Sequence, residues 1–243
     1  RSVHLVFLGD ILDRGKDALR LTWFIYELEQ SAAQHGGQIH LILGNHEIMV
    51  MSNDLRYVSA KEQQVASMHQ VSYQQLYHPT RSVLGRWLST KPAALKIDEI
   101  LFAHGGIIMG SSLKSFNDRA YDYTQTPLFS HLMEQPFDSV SFSQVERKEQ
   151  KDYLYDSFGP FWFRGYVQTD TLGSYLDAIL LNNKAKLHVV GHTTVSSIAS
   201  LYKGKLIATN VPKAGTEMLL LTKSKRSKYH RFRINLFGEV VVL

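Results

Sequence analysis

Cysteine is absent from this sequence. Its absence excludes disulfide bridges, zinc sites built on thiolates, and catalysis by a cysteine nucleophile. Long hydrophobic runs are also lacking, since none approaches the roughly 18–20 residues that span a bilayer, so we predict no membrane-spanning helix. Because a cysteine-free chain can function on either side of a membrane, the choice between cytoplasm and periplasm stays open.

Positively charged residues are only mildly in excess over negatively charged ones. There are 27 Lys and Arg residues against 22 Asp and Glu residues, for a formal net charge of +5. A nucleic-acid-binding chain concentrates its basic residues on one face, whereas the basic cluster here is short, at 223–228. We therefore expect no nucleic-acid partner, and we expect an anionic substrate to be attracted.

The chain is long enough and hydrophobic enough to form a substantial core. The chain has 243 residues, of which 44% are hydrophobic and 20% charged, which excludes a disordered, coiled-coil or fibrous protein. We take residues 1–243 as a single domain. Two polar segments, 51–99 and 111–163, are predicted to form a cap or insertion, with a helical tract near 141–155.

Short apolar strands alternate with helical segments along the chain. A strand at 3–8, a helix at 16–34 and a strand at 39–43 form one crossover unit, which predicts parallel strands. The remaining strands are predicted at 100–103 and 187–190, with antiparallel strands from Thr216 that turn near 224–227 and at Gly238. The predicted fold class is α/β with added antiparallel strands.

Four of these strands end in a polar side chain next to a glycine. The residues are Asp10, Asn45 with His46, His104 and His192. Each taken singly is typical of a turn, but ligands bind beyond the carboxyl ends of the strands in an open α/β sheet, so we expect the set to converge. An Asp, an Asn and two His residues form an oxygen and nitrogen ligand set that suits Mn, Fe or Zn.

The same residues lie in motifs that resemble a known family, the phosphoprotein phosphatase branch of the calcineurin-like metallophosphoesterases. The motifs extend from residue 3 to about 210, and the continuation of the second through residues 47–58 looks most like the bacterial Shewanella-like phosphatases. In order, they are Gly9-Asp10-Ile11-Leu12-Asp13-Arg14-Gly15, Gly44-Asn45-His46-Glu47, His104-Gly105-Gly106, Arg164-Gly165 and Gly191-His192. This resemblance implies the family's sandwich of mixed sheets flanked by helices.

The resemblance also implies roles for individual residues. Asp10 would bridge two divalent metal ions, most typically Mn, and the second ion would also be held by Asn45, His104 and His192. A metal-bound hydroxide would attack phosphorus in line. His46 would protonate the leaving oxygen.

Three further residues would support this reaction in the family. Asp13 would orient the His46 imidazole, while Arg14 and Arg164 would hold the phosphate oxygens. Arg56 stays open between a pocket residue and a structural arginine.

One family motif has no counterpart here. The family opens with an Asp-x-His motif on a first strand, and nothing before Asp10 supplies those two ligands. We expect this first strand to be missing, because either the sequence starts inside a longer protein or the first metal site has been lost. The strand that begins almost at Arg1 favours the former, and we expect this chain to hold one ion where an intact relative holds two.

The predicted function is that of a metal-dependent phosphomonoesterase acting on a phosphorylated protein, at Ser/Thr or Tyr, or on a small phosphate ester. One alternative is a diadenosine-polyphosphate or other phosphoanhydride hydrolase. Another is a non-catalytic phosphate-binding pseudophosphatase. The sequence leaves the physiological substrate and the oligomeric state open.

Overall fold

The computed structural model describes residues 3–108, 112–125, 148–212, 216–224 and 229–243. Within them, the strands are β1 (Val3–Phe7), β2 (Gly37–Leu41), β3 (Ala94–Ile97), β4 (Ile100–Ala103), β5 (Leu187–Val190), β6 (Ala199–Leu201), β7 (Leu206–Ala208), β8 (Glu217–Lys223), β9 (Tyr229–Asn235) and β10 (Val240–Val242). The α-helices are α1 (Ala18–Gln34), α2 (Asn45–Met51), α3 (Ala60–Met68), α4 (Val83–Leu88), α5 (Leu113–Thr124), α6 (Lys148–Tyr155), α7 (Gly165–Gln168) and α8 (Gly173–Asn182). Short 3-10 helices cover Gln74–Tyr77 and Tyr202–Gly204.

The crossover unit predicted at the start of the chain is confirmed. Strands β1 and β2 pair in parallel, with Val3 opposite Gly37 and Phe7 opposite Leu41. Helix α1 connects them and buries Ala18, Thr22 and Ile25, which recur at helical spacing along one face. The second strand ends two residues earlier than predicted.

A five-stranded sheet forms the centre of the molecule, and its strands are arranged in the order β3-β4-β5-β7-β6. Strands β4, β5 and β7 are parallel, and the edge strands β3 and β6 are antiparallel to their neighbours. Strands β4 and β5 are buried along their whole length, as expected of parallel strands covered on both faces, and both match the predicted ranges. Strands β3, β6 and β7 are not among the predicted strands.

Alternate residues of this sheet enter different cores. Leu101 and Ala103 face a core shared with helices, whereas Ile100 and Phe102 face a core closed by the three-stranded sheet β10-β9-β8. The molecule is therefore layered as helices, sheet and sheet. The predicted α/β fold with mixed sheets flanked by helices is confirmed, including the antiparallel strands near the end of the chain.

The two predicted cap segments differ in how much of them is described. Between 51 and 99, α3, the first 3-10 helix and α4 pack with α1 around a second core, which contains Tyr77 and Leu88. Residues 126–147 lie outside the described residues, so only α6 represents the helical tract predicted near 141–155. The single-domain and cap assignments stay predictions. Among the described helices, none has the length and apolar character needed to cross a membrane.

Candidate metal centre and active site

The loop after β1 brings Asp10 against the start of α2. Asp10 adopts a left-handed backbone conformation, with a φ of 57°. Its side chain fits there because Gly44 has no Cβ: a Cβ at that position would lie 2.5 Å from Asp10 Oδ1 and 2.7 Å from the Asp10 backbone nitrogen. A Cβ on Gly9 would likewise collide with the Gly44 backbone, so the two loops approach each other through paired glycines.

The fully buried carboxylate of Glu47 ties these two loops together. It accepts backbone N–H bonds from Asp10 at 2.8 Å, Ile11 at 2.9 Å, Leu12 at 3.2 Å and Gly44 at 2.7 Å. Bonds from backbone N–H groups to a charged acceptor are among the stronger ones in proteins. Glu47 therefore fixes the position of the Asp10 backbone.

Four side chains from four different chain segments converge at the ends of two sheets. The Nε2 atom of His104 lies 3.0 Å from Asn45 Oδ1, 3.1 Å from His192 Nδ1 and 3.3 Å from Asp10 Oδ1. The ligand atoms of Asp10, His104 and His192 all lie within 4.8 Å of one another. The structure thus brings together every residue that the sequence predicts as a metal ligand.

The donor set fits a divalent cation. The Nδ1–H of His104 donates to the Leu8 carbonyl at 2.6 Å, so Nε2 presents a lone pair to the site. Asp10 and Asn45 also present oxygen lone pairs there, and the meeting of several acceptors at one point is satisfied by a cation. Their oxygen and nitrogen chemistry agrees with a transition-metal site.

The electrostatics of the cluster favour a neutral His192 and a charged Asp10, whereas they favour protonation of His104 unless a cation displaces its proton. Burial, together with the neighbouring His104 and Arg164, lowers the pKa of His192 to about 3, so its imidazole is neutral and able to bind metal. Burial alone would raise the pKa of Asp10, but the adjacent His104 and His46 hold it well below its usual range. Asp10 in turn raises the pKa of His104 against the lowering effect of burial.

His46 and Asp13 form a pair beside the metal ligands. The Nδ1 atom of His46 lies 2.7 Å from Asp13 Oδ2, and both side chains are almost completely buried. The backbone N–H of His46 donates to Asp10 Oδ1 at 3.2 Å, which joins the pair to the ligand cluster. Burial raises the pKa of Asp13, and the hydrogen bond from His46 opposes that rise. This geometry orients the imidazole as the resemblance implies.

Of the two predicted phosphate-binding arginines, one contacts a residue of the cluster and the other contacts Tyr57. Arg164 is exposed, and its Nη1 atom donates to the His192 carbonyl oxygen at 3.5 Å. Arg14 is also exposed, and its guanidinium lies 4.8 Å from the centre of the Tyr57 ring. The roles assigned to both arginines stay predictions.

Arg56, which the sequence leaves open, is anchored by two hydrogen bonds to the buried carboxylate of Asp54, at 2.8 and 2.7 Å. It is therefore part of the loop's structure, with a side chain that is 63% exposed at the surface.

Sequence reasoning assigns no role to several residues that hold this site. Glu47 is one, although a glutamate at the third position of α2, after Gly44, is a recognisable signal for backbone capping. His188 is another: its Nε2 accepts the N–H of Ile107 at 3.0 Å, just after the glycines that follow His104. The Tyr166 hydroxyl donates to the Ile107 carbonyl at 2.8 Å, and no local sequence signal predicts either contact.

Residues 2–196 match the profile of the calcineurin-like phosphoesterases. The chain belongs to this family. The resemblance read from the motifs is thereby confirmed, and membership in a metallophosphoesterase family implies divalent metal ions as cofactors. The finer assignment of roles to individual residues of the phosphoesterase rests on the geometry above and stays a prediction.

Relatives of the phosphoesterase include named phosphatases and a nucleotide hydrolase. Shewanella-like protein phosphatase 1 of Plasmodium berghei is 31% identical over 207 residues, which are 79% of this chain and 51% of that protein. The symmetrical bis(5'-nucleosyl)-tetraphosphatase of Vibrio cholerae is 27% identical over 136 residues, 55% of this chain and 46% of that protein. The phosphoesterase thus spans about half of each, and its relatives extend beyond bacteria.

A solved structure confirms the fold over nearly the whole chain. The cold-active protein-tyrosine phosphatase of a psychrophilic Shewanella species is 29% identical and superposes with a TM-score of 0.76. The match covers 99% of this chain and 69% of the Shewanella chain.

Proposed function

We propose that this phosphoesterase is a metal-dependent phosphomonoesterase that acts on phosphorylated proteins or on small aryl phosphates. The observation that carries the proposal is the junction between the ligand cluster and the His46–Asp13 pair, made by the 3.2 Å hydrogen bond from His46 N–H to Asp10 Oδ1. A cation site and an oriented imidazole lie side by side, as hydrolysis of a phosphate ester requires.

Different residues of the site serve different parts of the proposed reaction. A divalent cation held by Asp10, Asn45, His104 and His192 would supply Lewis acidity toward the phosphate and make nearby water more acidic. We expect Mn, and the same ligands also suit Fe or Zn. In this chain, the proposal assigns cation binding to these four side chains alone.

The proton and the phosphate oxygens are handled by other side chains. With Nδ1–H directed at Asp13, the His46 ring is fixed so that its other nitrogen, when protonated, can donate to the leaving oxygen. Arg14 and Arg164 would bind the non-reacting phosphate oxygens, a geometry that suits the planar guanidinium.

An aromatic groove beside Arg164 supports an aryl phosphate as the substrate. The groove has a volume of about 360 Å³. Its lining comprises Tyr155, Ser157, Phe158, Trp162, Phe163, Arg164, Gly165 and Gln168. Because a phenol ring packs well against aromatic side chains, we infer that phosphotyrosine is preferred over phosphoserine, and the name of the Shewanella relative agrees. Turnover of matched phosphotyrosine and phosphoserine peptides tests this preference, and equal rates would contradict it.

The experiment that tests the function compares two leaving groups. His46→Asn is expected to reduce kcat on phenyl phosphate about 100-fold or more, within the usual range for general acid catalysis, and to affect p-nitrophenyl phosphate much less. A good leaving group needs little protonation, which is why the two substrates should separate. His69→Asn, at an exposed histidine just after the end of α3, serves as the matched control. Equal losses on both substrates would count against His46 as the acid.

The match to the Vibrio enzyme favours one second candidate, hydrolysis of a dinucleoside polyphosphate. Chromatography of the products formed from diadenosine tetraphosphate separates the two functions, because the anhydride hydrolase releases nucleotides while the phosphomonoesterase leaves this substrate intact. Binding of inorganic phosphate without turnover of any substrate would instead support the pseudophosphatase.

A further inference from the structure

We propose that Tyr57 is a positioning residue, whose ring holds the Arg14 guanidinium and the His46 imidazole in the orientations that the reaction needs. The inference rests on the proposed function, since it acts through two residues of that site. Tyr57 is not among the predicted catalytic, phosphate-binding or metal-binding residues, although it lies within residues 47–58, where the second motif continues. It lies in the loop that follows α2.

The ring of Tyr57 contacts both groups directly. The Arg14 guanidinium carbon lies 4.8 Å from the ring centre, within the range of a cation–π interaction. The His46 imidazole packs edge-on against the same ring, with centres 5.5 Å apart and planes inclined by 70°. One aromatic side chain therefore touches both the predicted phosphate-binding arginine and the predicted acid.

The Tyr57 backbone reinforces the contact with Arg14. The Tyr57 carbonyl accepts the Arg14 N–H at 2.7 Å. Arg14 needs this support because its backbone is left-handed, with a φ of 50°, and its side chain is exposed. An exposed arginine otherwise occupies many rotamers, and ordering it in advance reduces the entropy lost when phosphate binds.

The loop that carries Tyr57 is itself rigidly anchored. Leu55 and Val58, which lie on either side of Tyr57 in the sequence, pack into the core formed with α1. The Asp54 N–H donates to the Met49 carbonyl at 2.8 Å, and the buried Asp54 carboxylate holds Arg56, whose guanidinium carbon lies 5.8 Å from the Tyr57 ring centre. The ring is thus presented by a fixed backbone, although Tyr57 is 43% exposed.

Removing the ring should separate its two effects. In Tyr57→Leu, KM for p-nitrophenyl phosphate should rise about three- to tenfold, because Arg14 loses its cation–π partner. The inhibition constant of inorganic phosphate should weaken by a similar factor. In the same variant, kcat on phenyl phosphate should fall by more than kcat on p-nitrophenyl phosphate, since only the former depends strongly on His46.

Two variants control for fold and for the phenol group. Tyr57→Phe keeps the ring and should restore KM and the leaving-group ratio to within about twofold of the parent protein, as expected if ring contacts carry the effect. Tyr121→Leu removes a tyrosine that is 59% exposed on α5 and should change none of these quantities. Thermal unfolding of all three variants checks that the fold is retained.

The outcomes distinguish this inference from the function on which it rests. If the parent protein does not hydrolyse phosphomonoesters, the proposed function fails first. If the parent is active and Tyr57→Leu has the same KM, phosphate inhibition and leaving-group ratio, the positioning role alone is overturned. The positioning role is also overturned if Tyr57→Phe is as impaired as Tyr57→Leu.

Discussion

Three buried histidines perform different tasks because their ring nitrogens meet different partners. His46 faces the carboxylate of Asp13, which fixes its ring in the orientation that the proposed proton transfer requires. His104 donates from Nδ1 to a backbone carbonyl and so presents Nε2 to the cation site. His188 uses both nitrogens for backbone bonds, with Ile107 N–H and the Leu101 carbonyl, and has only a structural task. Residue type alone predicts none of these distinctions.

The buried position of His188 makes the stability of the protein depend on pH. Burial lowers its pKa from 6.5 to about 4 in the folded state. Below about pH 6.5 the unfolded chain binds a proton at His188, whereas the folded chain does not. The free energy of unfolding therefore falls as the pH falls toward 4. We expect this residue to remove about 2 kcal/mol of unfolding free energy between pH 7 and pH 5, as measured by urea denaturation in the presence of a chelator.

The contribution of His188 can be isolated from that of other groups. His188→Gln does not titrate and should be less stable at pH 7 but less sensitive to acid. An NMR titration of the parent protein should show His188 neutral at pH 5. Protonation of His188 near pH 6.5 would refute the assignment.

At the scale of elements, the site depends on how closely the loop after β1 approaches the start of α2. The motifs in the sequence predict that Asp10, Asn45, His104 and His192 converge, and the structure agrees. They do not predict how the two loops are held, because that depends on the four backbone bonds to Glu47 and on the paired glycines. The missed strands β3, β6 and β7 are as short as β4 and β5, but none of them is followed directly by the glycine-containing motif that marks the ends of β4 and β5 in the sequence. They gain their conformation from neighbouring strands, and three or four residues are too few for a periodic signal.

Gly44 offers a direct test of this close approach. Gly44→Ala would place a methyl group 2.5 Å from Asp10 Oδ1 and 2.9 Å from Glu47 Oε2, so Asp10 must shift. We expect a stability loss of about 1–3 kcal/mol, as for overpacking elsewhere, and a loss of metal affinity of at least tenfold by calorimetric titration. Gly173→Ala is the matched control, because the nearest atom to its Cβ lies at an ordinary 3.8 Å. Unchanged metal affinity in Gly44→Ala would contradict the role assigned to the glycine.

The junction between α1 and α4 depends on one glutamate. The Glu29 carboxylate accepts a hydrogen bond from the Trp87 indole at 2.6 Å and from Lys91 at 2.7 and 2.8 Å. Because the Lys91 side chain is only 8% exposed, Glu29→Ala leaves a mostly buried cation unpaired and should cost about 2–4 kcal/mol. Asp177→Ala, which breaks an exposed ion pair with Lys205, should cost less than about 1 kcal/mol. Chemical denaturation of both variants measures the difference, and similar costs would refute the argument.

At the scale of the whole molecule, the ligand cluster joins two sheets that are not hydrogen-bonded to each other through any described strand. Asp10 and Asn45 follow β1 and β2 of the two-stranded sheet, whereas His104 and His192 follow β4 and β5 of the five-stranded sheet. The Leu8 carbonyl already contacts His104 across this junction. A cation held by all four residues would therefore connect the two sheets as well as serve the reaction.

Metal binding should consequently stabilise the fold. At a free Mn concentration 100 times the dissociation constant, the unfolding free energy should rise by about 2.7 kcal/mol, and a chelator should reverse the gain. Since the described residues supply one cluster of ligands around His104, we expect about one ion per chain by plasma mass spectrometry. His192→Ala removes a ligand from the five-stranded sheet and should abolish most of the gain, whereas His69→Ala should retain it. A gain that survives in His192→Ala would mean that the stabilising ion binds elsewhere, and the cluster would lose its structural role.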